Sequence, residues 1–146
     1  MNGLTAEVGY VSLIKKGEEL CGDRVETVRF EDSTTLVLAD GLGSGVKANI
    51  LSTLTSKIIA TMMASGMPVE ECVRKVAYST FTVMQVNHQD EMTLLQFDNP
   101  SVILLRGGVS IHYPQKELVI DGKKVIKSVV KVKPNDIFLT MSDGAL

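Results

Sequence analysis

Two helical stretches lie next to each other in the middle of this sequence, with strand-like stretches before and after them. Residues 46–65 have the apolar spacing of an amphipathic helix, and Gly66 and Pro68 mark its end and the start of a second helix. This order differs from the alternating strands and helices of parallel nucleotide-binding sheets. It predicts an α+β fold with antiparallel sheets.

The spacing within the first helix predicts which of its faces is buried. Its large apolar side chains fall on one face, and the small polar side chains at positions 49, 52, 53 and 56 fall largely off it. The apolar face consists of Ile50, Leu51, Leu54, Ile58 and Met62. We expect this face to pack against a sheet.

Predicted strands occupy most of the remaining sequence. Residues 25–30 and 34–39 flank a turn-like trio and predict a hairpin, whose second arm ends in the apolar run of a buried central strand. Asp121 and the glycine after it predict a tight hairpin turn. The other predicted strands are residues 8–14, 81–86, 92–97, 102–105, 118–120, 125–126, 129–132 and 136–141.

Composition is that of an ordinary globular domain. The chain has 146 residues, of which 45% are hydrophobic, so it can bury a core without disulfides. Fifteen basic and 17 acidic residues give a net charge of −2, which argues against a nucleic-acid or membrane-surface partner. Basic pairs such as Lys123 and Lys124 are interpreted as solvated surface.

Three further features favour a reducing, cytoplasmic location. Cys21 and Cys72 have neither metal-site spacing nor the density of a disulfide scaffold. Residues 1–14 lack the basic start and long apolar run of a cleavable signal. The apolar stretch at 46–63 is interrupted by lysines and polar residues and is a poor membrane span.

An apolar strand that ends in Asp-Gly occurs twice, at Asp40 and at Asp143. Two carboxylates that converge from the ends of neighbouring buried strands form a hard-oxygen site suited to Mg²⁺ or Mn²⁺. The following glycine lets the chain turn and exposes a backbone carbonyl as a further ligand. Asp-Gly is also a common turn signal, and Asp121 is interpreted as only that. From the pattern alone, both interpretations stay open for Asp40 and Asp143.

The glycine-rich segment 41–45, between a strand and a helix, raises the alternative of a nucleotide-binding loop. The match fails in detail, because the third glycine of a dinucleotide motif would fall at Val46 and Lys47 is one residue too late for a phosphate-binding loop. Asp40 beside the turn would also repel phosphate unless a cation intervened. This alternative is disfavoured.

Several segments, in the right order, resemble one known family. Residues 36–49 resemble the Asp-Gly-Met-Gly-x-Gly segment of the SpoIIE, RsbU and RsbX phosphatases, a branch of the PP2C-like metal-dependent protein phosphatase (PPM) family. Residues 138–144 resemble their second metal motif, and Asp23 with its preceding glycine is similar to their Gly-Asp element. Residues 78–83 and 97–100 resemble their middle strands.

The resemblance implies a fold and a metal site. The fold would be an αββα sandwich of two antiparallel sheets with flanking helices, formed by residues 1–146 as a single domain. The Asp40 carboxylate would bridge two Mn²⁺ or Mg²⁺ ions, with the Gly41 carbonyl binding one of them and Asp143 the other. Asp23 would lie nearby and act through a metal-bound water. Asp40 and Asp143 would be the catalytic residues.

The implied activity is hydrolysis of phosphoserine or phosphothreonine by a metal-bound hydroxide, without a phosphoenzyme. The implied substrate is a regulatory protein of the anti-sigma-factor antagonist type, in sporulation or stress response. The family carries a further acidic ligand after Asp143, whereas this chain ends at Leu146. We therefore expect a domain without its C-terminal segment and with an incomplete metal site. The alternative is a non-catalytic PP2C-like regulatory or scaffolding domain.

Overall fold

A computed structural model describes residues 6, 8–9, 23–31, 33–40, 45–74 and 80–142. The strand predicted at 8–14 falls almost entirely outside these ranges. The described elements are β1 (Asp23–Phe30), β2 (Ser33–Asp40), α1 (Gly45–Ala64), α2 (Val69–Arg74), β3 (Thr80–Val86), β4 (Glu91–Phe97), β5 (Ile103–Arg106), β6 (Val109–Ile111), β7 (Lys116–Ile120), β8 (Lys123–Lys131) and β9 (Ile137–Leu139). In this part of the chain, no helix is both long and apolar enough to cross a membrane.

The strands form two antiparallel sheets, as predicted. The larger sheet has six strands in the order β1-β2-β3-β4-β8-β7, and the smaller has three in the order β6-β5-β9. The predicted hairpins are confirmed for β1 with β2 and for β7 with β8. Asp121 and Gly122 turn the second hairpin with φ of 49° and 78°, the left-handed conformation that a two-residue hairpin turn requires. The two short strands predicted near residues 125–132 are one continuous strand, β8.

Helices α1 and α2 cover one face of the six-stranded sheet and bury the larger core against it. The core residues of this layer include Val37 of β2, Ile59 of α1, Cys72 of α2 and Phe81 of β3. On the opposite face of the same sheet, residues including Leu94 pack toward the three-stranded sheet. The six-stranded sheet is therefore the middle layer of the described structure.

The predicted buried face of α1 is confirmed at Ile58 and Met62, which pack against the core, and is wrong at Ile50 and Leu54. Ile50 and Leu54 are 51% and 43% exposed, whereas Ser52, Thr55 and Ser56 are fully buried. Small side chains let a helix lie close to a sheet. A buried serine hydroxyl can donate a hydrogen bond to a backbone carbonyl of its own helix. Ser52 Oγ donates to the Asn49 carbonyl at 3.1 Å, and Ser56 Oγ donates to the Thr53 carbonyl at 3.2 Å.

A bidentate ion pair fixes the entry to β9. Arg106 Nε donates to Asp136 Oδ1 at 2.9 Å, and Arg106 Nη2 donates to Asp136 Oδ2 at 2.8 Å. The backbone N–H of Lys133 also donates to Asp136 Oδ2, at 2.9 Å. The hydrogen bond from Arg106 lowers the pKa of the buried Asp136 carboxyl, since it favours the charged form.

We expect this carboxylate to make folding sensitive to acid. Because the pKa of Asp136 is lower in the folded state, its contribution is fully present above its ordinary pKa of about 4 and is lost as pH falls through the lowered value. Asp136→Asn should therefore lower the melting temperature at pH 7 and flatten its fall below about pH 4. Thermal unfolding followed from pH 7 to pH 2 checks this. Asp121→Asn, at a half-exposed carboxylate, should keep the wild-type profile.

Candidate active site

Asp40 lies at the last position of β2 and is buried, with 7% of its surface exposed. Side chains alternate along a strand, so Asp40 lies on the same face as Leu36, which packs between the two sheets. The strand pairs on both sides, with β1 and with β3. The backbone that carries this carboxylate is therefore held in place from two directions.

Two polar residues lie directly across from Asp40 in the neighbouring strands. Asp23, at the start of β1, is its cross-strand partner on one side. Thr80, at the start of β3, is its partner on the other side. The register thus brings together two of the sequence-predicted metal ligands, Asp23 and Asp40, at one end of the six-stranded sheet.

A hydrogen-bonded side-chain network adjoins this position. Thr80 Oγ1 donates to Asn99 Oδ1 at 3.2 Å, and Asn99 Nδ2 donates to Thr82 Oγ1 at 3.1 Å. Asn99 thereby joins the loop after β4 to two successive inward positions of β3. Asn99 is not among the site residues predicted from the sequence, because a lone asparagine before proline carries no signal for these hydrogen bonds.

The two sheets are tied together near the end of β9. Leu139 pairs with Ile103, so the end of β9 lies beside the start of β5. Val102, immediately before β5, donates its backbone N–H to Gln96 Oε1 of the six-stranded sheet at 2.8 Å. Tyr113 donates its phenol hydroxyl to the Val102 carbonyl, and burial raises the pKa of that phenol.

The hydrogen bond between Val102 and Gln96 lies at the same end of the sandwich as Asp40. Gln96 pairs with Thr82, which in turn pairs with a residue two positions before Asp40 in β2. The chain therefore leaves β9 toward Ser142, which is buried, at the end where β2 terminates. Asp40, at the end of β2, and Ser142, which follows β9, therefore lie toward the same end of the sandwich.

Two of the four sequence-predicted ligands, Gly41 and Asp143, lie outside the described residues. Within the ranges that are described, no three carboxylate, imidazole or thiol side chains form a cluster that could hold a metal ion. The thiol of Cys72 is buried in the helix layer, and burial raises its pKa to about 11. It is therefore protonated at neutral pH and is no nucleophile.

A polar cleft of ≈ 240 Å³ lies beside the network. Asn99, after β4, forms part of its wall and β8 forms another part, so β3 separates Asp40 from the near wall, and β3 and β4 together separate it from the far wall. The other lining residues are Gln96, Asp98, Ser101, Lys124 and Ile126. Sequence reasoning treated Lys123 and Lys124 as one solvated pair, whereas strand alternation within β8 separates them and places only Lys124 in this cleft.

No protein-family model and no curated protein matches the chain. Solved structures do. The PP2C phosphatase domain of the cell fate determinant SpoIIE from Bacillus subtilis has a TM-score of 0.77 and 21% identity over 92% of this chain. RsbX in complex with magnesium has a TM-score of 0.72 and 24% identity, also over 92%.

The RsbU and RsbW domains of a Mycobacterium tuberculosis protein have a TM-score of 0.73 and 16% identity over 90% of this chain. The chain spans 44% of the SpoIIE structure, 72% of the RsbX structure and 41% of the mycobacterial one. The predicted arrangement of antiparallel sheets and flanking helices agrees with these structures. The chain therefore has the fold of PP2C phosphatase domains such as that of SpoIIE.

Proposed function

We propose that this chain is a metal-dependent protein serine/threonine phosphatase domain, formed by residues 1–146. The observation that carries the proposal is the buried carboxylate of Asp40, at the end of a central strand and directly across from Asp23, in a PP2C phosphatase fold. A carboxylate that a central strand holds in a fixed place supplies oxygen ligands suited to a divalent cation. A site that binds divalent cations gives such a residue a function.

The proposed ligands are of a kind suited to two Mn²⁺ or Mg²⁺ ions. Carboxylate and carbonyl oxygens are the ligands that these hard cations prefer. Asp40, Asp23, the Gly41 carbonyl and Asp143 would hold them. When bound, the two ions would activate water for attack on phosphorus and offset the charge of the phosphate.

The chain's own residues would supply positioning. Pairing with β1 and β3 fixes the backbone of Asp40, and the Asn99 network fixes the start of β3 beside it. No covalent phosphoenzyme is required, so the protonated thiol of Cys72 has no part in the reaction. Catalytic roles fall to Asp40 and Asp143.

The proposed substrate is a phosphoserine or phosphothreonine on a regulatory protein of the anti-sigma-factor antagonist type. Similarity to RsbX, to an RsbU domain and to the PP2C phosphatase domain of SpoIIE supports this choice of substrate. The same similarity supports a role in sporulation or stress response. The proposed location is the cytoplasm. The near-neutral net charge of −2 fits a protein partner and not nucleic acid.

We expect this chain to hydrolyse phosphoserine and phosphothreonine peptides only weakly, and only with Mn²⁺ or Mg²⁺ present. Removal of the metal with EDTA should reduce turnover to background, and added Mn²⁺ should restore it, because the proposed nucleophile is water activated by the metal. Phosphate release from serine, threonine and tyrosine phosphopeptides measures this. Calorimetric titration with Mn²⁺ gives a second readout that does not depend on turnover.

The two readouts together separate the proposal from its alternative. Mn²⁺ binding without hydrolysis of any phosphopeptide would favour a non-catalytic regulatory domain. Hydrolysis of phosphotyrosine peptides alone would contradict the substrate assignment, and hydrolysis that survives EDTA would contradict the metal requirement.

A further inference from the structure

The cleft beside Asn99 carries two opposite charges that do not pair with each other. Asp98 and Lys124 both line it, and among the residues that the structure describes neither forms an ion pair. Lys127, three positions further along β8, lies on the other face and pairs with Glu70 of α2 at 3.4 Å. A cation and an anion held apart across a cleft can each bind a complementary group of a ligand.

The size of the cleft argues for a peptide side chain as that ligand. Its volume of ≈ 240 Å³ lies below the range of about 300–1,000 Å³ that is usual for small-molecule sites. Ser101 and Asn99 add a hydroxyl and an amide to its wall, and Ile126 adds an apolar surface. A cleft of this kind accepts one or two side chains of an extended polypeptide.

We propose that this cleft binds the segment next to the phosphorylated residue of the substrate protein, and that Lys124 selects an acidic side chain there. The proposal rests on the proposed phosphatase function. Asp98 at the same cleft would disfavour an acidic group at its own side and so fix the orientation of the segment.

The spacing of the sheet gives the position of that acidic residue. Lys124 of β8 is separated from Asp40 of β2 by β3 and β4, which is three strand spacings of about 4.8 Å, or roughly 14 Å. An extended chain advances about 3.4 Å per residue. The acidic residue should therefore lie about four residues from the phosphorylated one.

Fluorescence anisotropy with labelled phosphoserine peptides tests this on the whole chain. One peptide carries glutamate about four residues from the phosphoserine, on either side in separate versions, and its partner carries lysine there. We expect the wild-type protein to bind a glutamate peptide more tightly. Lys124→Glu should weaken that binding about five- to tenfold and reverse the preference, because attraction becomes repulsion.

Lys123→Glu is the matched control. It changes the net charge by the same amount one residue away, on the other face of β8. It should leave the Kd of both peptides unchanged. Equal loss of binding in the two variants, or no difference between glutamate and lysine peptides in the wild type, would overturn the proposal.

Failure of the cleft and failure of the phosphatase function give different results. Hydrolysis that does not depend on the flanking charge would contradict the proposed role of the cleft and support the phosphatase function. Binding of an unphosphorylated glutamate peptide that depends on Lys124, without hydrolysis of the phosphorylated peptide, would support the role of the cleft and contradict the phosphatase function.

Discussion

Asp40→Asn is expected to reduce metal-dependent phosphopeptide hydrolysis by at least about a hundredfold while the fold is retained. The amide has the shape of the carboxylate but not its charge, so it cannot offset two cations, and such electrostatic contributions amount to several kcal/mol. Mn²⁺ affinity should fall in parallel, which calorimetric titration measures. The melting temperature of the metal-free protein should change little, because the amide keeps the shape of the carboxylate.

Asp121→Asn is the matched control for this substitution. Asp121 precedes a glycine as Asp40 does, but it lies in the hairpin turn between β7 and β8, where asparagine tolerates the left-handed backbone equally well. The activity and the Mn²⁺ affinity of the Asp121→Asn variant should equal those of the wild type. Turnover by the Asp40 variant within a few-fold of wild type would exclude a metal-bridging role.

Most strands could be predicted from the sequence because strand alternation and turn residues are local signals. The β1–β2 hairpin and the hairpin that turns at Asp121 each lie within a continuous stretch of fewer than about 20 residues. The order of strands in a sheet is not local: β4 pairs with β8, and β5 pairs with β9, across long stretches of sequence. The resemblance to a known family implied the sandwich of two antiparallel sheets, but no strand order was predicted.

The rotation of α1 could not be predicted from hydrophobicity. Periodicity chose the face with the largest aliphatic side chains, and these include Ile50 and Leu54 at the surface. The sheet beneath the helix instead accepts serine and threonine, because their small size permits close packing and serine can donate to its own helix. Helical periodicity measures apolar character and does not measure how closely a particular sheet allows a helix to approach.

The candidate site was predictable at Asp40 and not at the residues around it. An aspartate that ends an apolar strand is a visible pattern, and the register then places Asp23 opposite it. Asn99 becomes relevant only through its bonds to Thr80 and Thr82, which are about 20 residues away in sequence. Side chains that act through contacts in space leave no signature in spacing along the chain.

Phe81→Ala is expected to lower the free energy of unfolding by about 3–5 kcal/mol. Phe81 is 1% exposed, and its ring lies 5.5 Å from that of Phe97, with an angle of 40° between the planes. The substitution therefore removes a buried aromatic side chain and a tilted ring pair, and it leaves a cavity beneath the helix layer. Since domains of this size are stable by about 5–15 kcal/mol, a large share of the total would be lost.

Urea denaturation of the two proteins measures this loss as a shift of the midpoint. Val119→Ala, at an edge-strand position that is 69% exposed, should change stability by less than about 0.5 kcal/mol.

Phe81 follows Thr80, the cross-strand partner of Asp40, so the cavity should also loosen the support of that carboxylate. Phe81→Leu fills most of the cavity and should recover much of both stability and Mn²⁺ affinity. A loss below about 1 kcal/mol for Phe81→Ala would mean that the helix layer does not depend on this ring, and the packing of α1 on β2 and β3 would need another explanation.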